Sequence, residues 1–255
     1  MAFLALFLVV GASLAGMVGL SAAEIDSPDA ALDDDNIEQG NDNADTLSGD
    51  SGNELLIGWN GGDALSGNDG HDWLLGLNGD DHLSGGDGAD VLIGGAGQDT
   101  LIGGAGGDFI ESANIVDEAA LLASIKGADN PGDLDFGYAL PGTSDDGDIA
   151  DLGPGDDTIV AGSDDSVTGG SGADEFVLGD WIEGGRPVVI EDFDIAEDLI
   201  SFMHADDQPT PDMTLQVDAQ TGLTSIKADG QTVAVVRNAS PDFSLRNVAV
   251  GRYAA

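Results

Sequence analysis

Gly58-Trp-Asn-Gly-Gly-Asp63-Ala-Leu65-Ser66 is followed without a break by Gly67-Asn-Asp-Gly-His-Asp72-Trp-Leu74-Leu75. The same phrase returns as Gly85-Gly-Asp-Gly-Ala-Asp90-Val-Leu92-Ile93 and Gly94-Gly-Ala-Gly-Gln-Asp99-Thr-Leu101-Ile102. Eight such nonapeptides run back to back over residues 40–111, each opening on Gly, with a second Gly at position four save for Asn43 in the first. Position six is always acidic, and position eight reads Leu47, Leu56, Leu65, Leu74, Leu83, Leu92, Leu101 and Ile110. Positions seven to nine have room for one brief strand, and glycines at one and four permit backbone paths that a β-carbon forbids, so each nonapeptide is a turn plus a strand. Two of them complete one coil of a parallel β-roll, with position eight pointing inward. A Gly/Asp-rich chain can also be a disordered, solvated polyanion. An apolar position eight that never slips phase argues against that reading.

With two nonapeptides per coil, residues eighteen apart stack in adjacent coils. Asp45, Asp63, Asp81 and Asp99 then form one acidic column, and Glu54, Asp72, Asp90 and Asp108 the opposite one. Neighbouring coils of a sheet lie about 4.8 Å apart. Carboxylates at about that spacing repel by roughly 1 kcal/mol in water, and by several times that at an effective dielectric near 20. A divalent cation reverses the sign. Calcium, which sits about 2.3 to 2.6 Å from each oxygen and accepts six to eight of them, spans the gap between stacked carboxylates; magnesium demands shorter, octahedral bonds and fits worse. There is no Cys, and the three His do not cluster in the sequence, which disfavours softer metals. Backbone carbonyls of the Gly-rich turns complete such a site, with position-three residues Asp42, Asn60, Asp69, Asn78 and Asp87 as further candidate ligands. Glu54 carries an extra methylene, which weakens its gap, and Asn43 makes the first loop a frayed edge. The inward column is thin for seventy-two residues, so the roll is expected to be unfolded without calcium and to fold on binding it.

The rest of the chain falls into segments. Residues 1–23 are apolar and end in Ser21-Ala-Ala23, a small-residue cleavage pattern, yet the stretch is long for a signal peptide and has no preceding Lys or Arg. Signal peptide and uncleaved helical membrane anchor both stand, and either puts the remainder outside the cytoplasm. Residues 24–39 form an acidic linker. An insert over 112–151 contains Asp117 to Gly127, a short capped helix with Leu121, Leu122 and Ile125 on one face. A second repeat block at 152–177 holds Gly153-Pro-Gly155-Asp-Asp157-Thr-Ile159, a stretch one residue short, and Gly169-Gly-Ser-Gly-Ala-Asp174-Glu-Phe176. Asp157 and Asp174 bracket one further metal site. From 178 to 255 the pattern is of β-strands, including a hairpin across Asp229-Gly230, so the fold class is all-β: a parallel β-roll with a C-terminal β capping region.

The pattern GGxGxDxUx, with U a large apolar residue, resembles the repeat of the RTX, or haemolysin-type calcium-binding, proteins. The string Val-Ile-Glu-Asp-Phe-Asp-Ile-Ala-Glu-Asp-Leu-Ile-Ser-Phe202 is similar to the segment that follows the last repeat in many of them. The resemblance covers about 40–111 and 152–202. It implies calcium as the bound ion and export of an unfolded chain that folds in external calcium. Family export signals usually lie at the C-terminus, so the apolar leader departs from the common arrangement. Members include toxins, proteases, lipases and adhesins in which the repeats accompany a separate active domain.

The formal charge is −43, with no Lys or Arg before Lys126, which makes nucleic acid and anionic membrane surfaces poor partners. No His-Glu-x-x-His, Gly-x-Ser-x-Gly or catalytic Cys is present, and His71, His82 and His204 read as surface residues. The expectation is therefore a secreted calcium-binding protein of structural or adhesive role that is not an enzyme. The competing reading is a secreted enzyme or effector with its active site in 112–151 or 181–255. Around position eight the even repeats carry Leu55 and Ile57, Trp73 and Leu75, Val91 and Ile93, and Phe109, an apolar stripe outside one sheet. Cover by the chain itself and a docking face for a protein partner both explain it.

Overall fold

The computed structural model describes residues 37–116 and 147–253. The leader, most of the acidic linker and the helix expected over 117–127 lie outside them. Among the described residues no helix is long and apolar enough to cross a membrane.

Two sheets face each other across a narrow core. One contains, in spatial order, β1 (Ile37–Gln39), β3 (Leu55–Asn60), β5 (Trp73–Asn78), β7 (Val91–Ala96), β9 (Phe109–Glu111), β11 (Thr158–Val160), β13 (Glu175–Gly179), β15 (Leu199–Ala205) and β19 (Val248–Tyr253). The other runs β2 (Thr46–Ser48), β4 (Ala64–Asp69), β6 (His82–Asp87), β8 (Thr100–Ala105), β10 (Ile149–Pro154), β12 (Ser166–Ser171), β14 (Val188–Ile190), β18 (Gln231–Val236), β17 (Thr224–Ala228) and β16 (Met213–Val217). Successive nonapeptides alternate between the sheets, so every neighbouring pair within the roll is parallel. Leu56 pairs with Leu74 and Leu74 with Leu92; Leu47 pairs with Leu65 and Leu65 with Leu83. This is the eighteen-residue register that one coil per two repeats requires.

The insert does not interrupt the stack. Thr100 pairs with Ile149 and Phe109 with Thr158, so an offset of 49 replaces 18 while β8 still abuts β10 and β9 still abuts β11. Beyond the insert the offset shortens to 17, since β10 pairs Ile149 with Ser166 and β11 pairs Thr158 with Glu175. The C-terminal strands then extend both sheets. β17 and β18 form the antiparallel hairpin, with Asp229 and Gly230 at φ 51° and 83°, the two left-handed turn residues that match strand twist. β18 joins the roll in parallel on β14, and β19 in parallel on β15.

The core follows position eight. Leu47, Leu56, Leu65, Leu74, Leu83, Leu92, Leu101 and Ile110 are all buried, and the row continues through Ala150, Ile159, Val167 and Phe176 to Ile200, Phe202 and Ile226. A second cluster lies outside the first sheet. Leu55, Ile57, Trp73, Leu75, Val91, Ile93 and Phe109 are at most 7 % exposed and pack with Leu77, Ala113, Ile115, Val116 and Val160. The stripe is thus covered within the chain, which corrects the docking-face reading of Leu55, Trp73, Leu75, Val91, Ile93 and Phe109. Chain that continues past β9 turns back over it and removes the apolar area from water.

Candidate metal centre

The acids at position six point inward at the two edges where strands turn. Asp63, Asp72, Asp81, Asp90, Asp99, Asp108, Asp157 and Asp174 are at most 3 % exposed, Glu54 is buried and Asp45, in the first repeat, is half-buried. Each of these eight buried aspartates divides its two oxygens. Oδ1 accepts the backbone N–H of the acid one coil earlier: Asp63 from Asp45 at 2.8 Å, Asp72 from Glu54 at 2.8 Å, Asp81 from Asp63 at 2.7 Å and Asp99 from Asp81 at 2.8 Å. Asp90 accepts from Asp72 at 2.8 Å and Asp108 from Asp90 at 2.9 Å. The ladder crosses the insert, for Asp157 Oδ1 takes the N–H of Asp108 at 2.7 Å, and Asp174 that of Asp157 at 3.1 Å.

Oδ2 is different. On Asp63, Asp72, Asp81, Asp90, Asp99, Asp108, Asp157 and Asp174 it is buried and accepts no hydrogen bond. A buried carboxylate oxygen without a donor is costly, and native structures rarely leave one so. Here it recurs in register, coil after coil. The position-one glycine of the same repeat shows where the oxygen faces. A Cβ on Gly58, Gly67, Gly76, Gly85, Gly94, Gly103 or Gly169 would come closer than 3.0 Å to the Oδ2 of Asp63, Asp72, Asp81, Asp90, Asp99, Asp108 or Asp174. At Gly67, Gly76 and Gly85 the same Cβ would also meet the carbonyl oxygen of Gly85, Gly94 and Gly103 in the next coil. Position one therefore needs glycine for space. Position four needs it for conformation, since Gly61, Gly70, Gly79, Gly88, Gly97 and Gly106 all have positive φ; position two is also left-handed but takes Trp59, Asn68 and Leu77 as well as Gly86, Gly95 and Gly104. At Gly58, Gly67, Gly76, Gly85 and Gly103 the space that the missing Cβ leaves is an oxygen-lined cradle holding one carboxylate oxygen and a backbone carbonyl.

That donor set is hard, anionic and free of nitrogen and sulfur, and it suits calcium. The residues that would hold the ion are the position-six acids with the carbonyls of the turn glycines; the bound ion would neutralise the buried Oδ2 atoms. Among the described residues no three His, Cys, Asp or Glu side chains converge on one point. Each site is thus built of single carboxylates and backbone rather than of a side-chain cluster. The picture of an ion shared symmetrically between stacked carboxylates changes accordingly, because Oδ1 is already committed to the backbone and only Oδ2 is left.

Burial dominates the electrostatics. Desolvation, partly offset by the N–H from the preceding coil and reinforced in most by neighbouring carboxylates, raises Asp72, Asp99, Asp108 and Asp174 to about 7. Asp81, Asp90 and Asp157 are raised to about 6 by the same leading cause, with the His71 charge opposing it at Asp90. Glu54 is raised too; its longer side chain folds back so that Oε2 accepts the Asp50 N–H at 3.2 Å and faces Gly49.

The position-three side chains stay outside. Asn60, Asp69, Asn78 and Asp87 are exposed, and Asn60 Nδ2 donates to exposed Asp42 at 2.7 Å. The carbonyls of Asn78 and Asp87 accept the N–H of Gly61 and Gly70 at 2.8 Å. Three acids escaped the sequence reading. Asp148 accepts the N–H of Asp99 at 2.8 Å, Asp165 that of Asp148 at 2.8 Å, and Asp198 that of Asp174 at 3.1 Å, so all three continue the columns. The only sequence signal for Asp148 is Asp-Ile-Ala150, with Ala at the inward position. Among the histidines, His204 is corrected from surface to core: it is 3 % exposed on β15, with Nδ1 3.0 Å from the Ala205 carbonyl.

Comparison with known proteins agrees with this geometry. The RTX calcium-binding nonapeptide repeat (4 copies) matches residues 39–74, 75–110 and 143–176. No curated protein matches the chain. Among solved structures it is similar to the AlgE6R3 subunit of the Azotobacter vinelandii mannuronan C5-epimerase, at 16 % identity and TM-score 0.24 over 82 % of this chain and 80 % of that one. It is also similar to the extracellular lipase LipA from Serratia marcescens, at 17 % identity and TM-score 0.27 over 79 % of this chain. The match spans only 39 % of the lipase. Both printed names are those of enzymes, against the expectation that this chain is not one, and that expectation is withdrawn. Over residues 39–74, 75–110 and 143–176 this chain is built of RTX calcium-binding nonapeptide repeats, and it binds calcium through them.

Proposed function

We propose that the chain acts outside the cell as a calcium-responsive β-roll whose repeats fold as the ion loads, with a structural or adhesive role. The observation that carries this reading is the row of buried Oδ2 atoms, each without a hydrogen-bond donor and most of them facing a glycine cradle. An anionic ladder of that kind opposes folding until a dication neutralises it, so the folded fraction follows free calcium by mass action. Calcium is plentiful outside cells, and the absence of Cys leaves the ion as the cross-link between coils. The ligands proposed are Asp45, Glu54, Asp63, Asp72, Asp81, Asp90, Asp99, Asp108, Asp157 and Asp174; the exposed position-three residues Asn60, Asp69, Asn78 and Asp87 bind at most through water.

Calorimetric titration with calcium, followed in parallel by far-ultraviolet circular dichroism, tests the reading. Several ions should bind, and β-signal should grow with occupancy. A β-signal already complete in chelator and unmoved by millimolar calcium would refute it.

A further inference from the structure

One fully buried aspartate of the acidic columns has both of its carboxylate oxygens bonded within the protein, as the part-buried Asp198 at the column's end also does. Asp165 is fully buried, and its Oδ1 accepts the Asp148 N–H at 2.8 Å, as the ladder demands. Its Oδ2, however, accepts two donors from the protein: the backbone N–H of Gly162 at 2.7 Å and the hydroxyl of Ser112 at 2.7 Å. The cause lies in the short repeat. Asp165 follows Asp157 by eight residues, where successive acids of the repeats otherwise follow by nine, and in this tightened turn the Gly162 N–H meets the carboxylate. Val160 stands five residues before Asp165, where the acids of the first block have a position-one glycine and Asp157 has Leu152. Its side chain packs in the outer apolar cluster, so no glycine cradle is left at this turn.

The two ends of the insert meet at the same carboxylate. Ser112 directly follows β9, where the chain leaves the roll, and Asp148 directly precedes β10, where it returns. Both are 1 % exposed. We infer that Asp165 is a metal-free clamp: a hydroxyl and an amide take the place of calcium at this coil, and one carboxylate locks both roots of the 112–147 excursion to the roll. The clamp rests on the calcium-folding reading, since its role is to hold one coil closed in a stack otherwise held by ions. It divides the roll into calcium-dependent stretches on either side of a joint that takes no ion.

The test compares Asp165→Asn, Ser112→Ala and Asp81→Asn in the full chain, with calcium as the only added ligand. The amide that Asp165→Asn introduces would turn an N–H₂ group toward one of the two backbone N–H groups, that of Asp148 or that of Gly162. Calorimetry at saturating calcium should give the wild-type stoichiometry for Asp165→Asn and Ser112→Ala, and a lower one for Asp81→Asn. Both clamp variants should melt about 5 °C lower in saturating calcium and gain protease cleavage within 112–147. Should Asp165→Asn fail to fold, Ser112→Ala removes one donor and leaves the carboxylate intact, and the same readouts apply. Loss of a bound ion in Asp165→Asn, or unchanged melting and cleavage in Ser112→Ala, overturns the clamp. A wild-type chain that binds no calcium overturns the proposed function instead.

Discussion

At the scale of one residue, the site sets two demands on position six that calcium resolves in opposite directions. The carboxylate must be there for the ion, yet it is a burden when the ion is gone. Asp81→Asn separates the two. Its Oδ1 can still accept the Asp63 N–H, and an amide nitrogen in place of Oδ2 faces the side where Gly76 and the Gly94 carbonyl lie. The variant should keep more β-signal than wild type in chelator and melt lower in saturating calcium, with affinity at that cradle down about tenfold or more, the loss of one charge-assisted contact. Circular dichroism in chelator and differential scanning calorimetry in calcium check the reversal of sign; a variant that is less folded than wild type in both would count against it. Gly76→Ala makes the complementary case, since its Cβ would overlap both Asp81 Oδ2 and Gly94 O. It should lose a bound ion without any change of charge, which calcium calorimetry reads directly. These residues were legible in the sequence because position six never varies in class. Asp148 was not, because Ala150 replaces the large inward residue and the insert removes the preceding glycines from view.

At the scale of the element, a coil is two strands and two turns whose acids titrate together. The folded pKa values of Asp72, Asp99 and Asp108 are about 7 against an ordinary 3.8, so in the metal-free state the folded roll binds protons more tightly than the unfolded chain. Its penalty is absent below about pH 4 and complete above about pH 7. Stability of the metal-free roll should therefore rise as pH falls through that window, opposite to the usual behaviour of salt-bridged carboxylates. Calcium displaces those protons. Titrations near pH 6 should release protons, seen as a binding enthalpy that varies with the ionisation enthalpy of the buffer, and apparent affinity should weaken from pH 8 to pH 6. A pH-independent affinity would mean that the buried Oδ2 atoms are not where the ion binds. The strands themselves were legible from the alternation of repeats, and the hairpin from Asp229-Gly230. The offset of 49 across the insert was not, because nothing in the residues of an excursion states that its two ends are adjacent in a sheet.

At the scale of the whole molecule, a charge of −43 invites the view that any salt would relieve the repulsion and fold the chain. The burial pattern says otherwise. Exposed acids such as Asp69 and Asp87 face water and are screened by monovalent salt, whose Debye length is about 3 Å at 1 M. The column acids are at most 3 % exposed, except for Asp45, Glu54 and Asp198, and lie inside the cradles, beyond the reach of a diffuse ion atmosphere. Sodium chloride at 1 M should consequently leave the metal-free chain largely unfolded, whereas millimolar calcium folds it. Once the sites are saturated, the melting temperature should keep climbing with the logarithm of free calcium, by about 1.4 kcal/mol of stability per bound ion for each tenfold increase. Because several ions bind one cooperative stack, that slope counts them independently of calorimetry. A melting temperature that plateaus at saturation, or equal folding in sodium and in calcium, would show that screening at the surface, rather than neutralisation within the coils, holds the roll together.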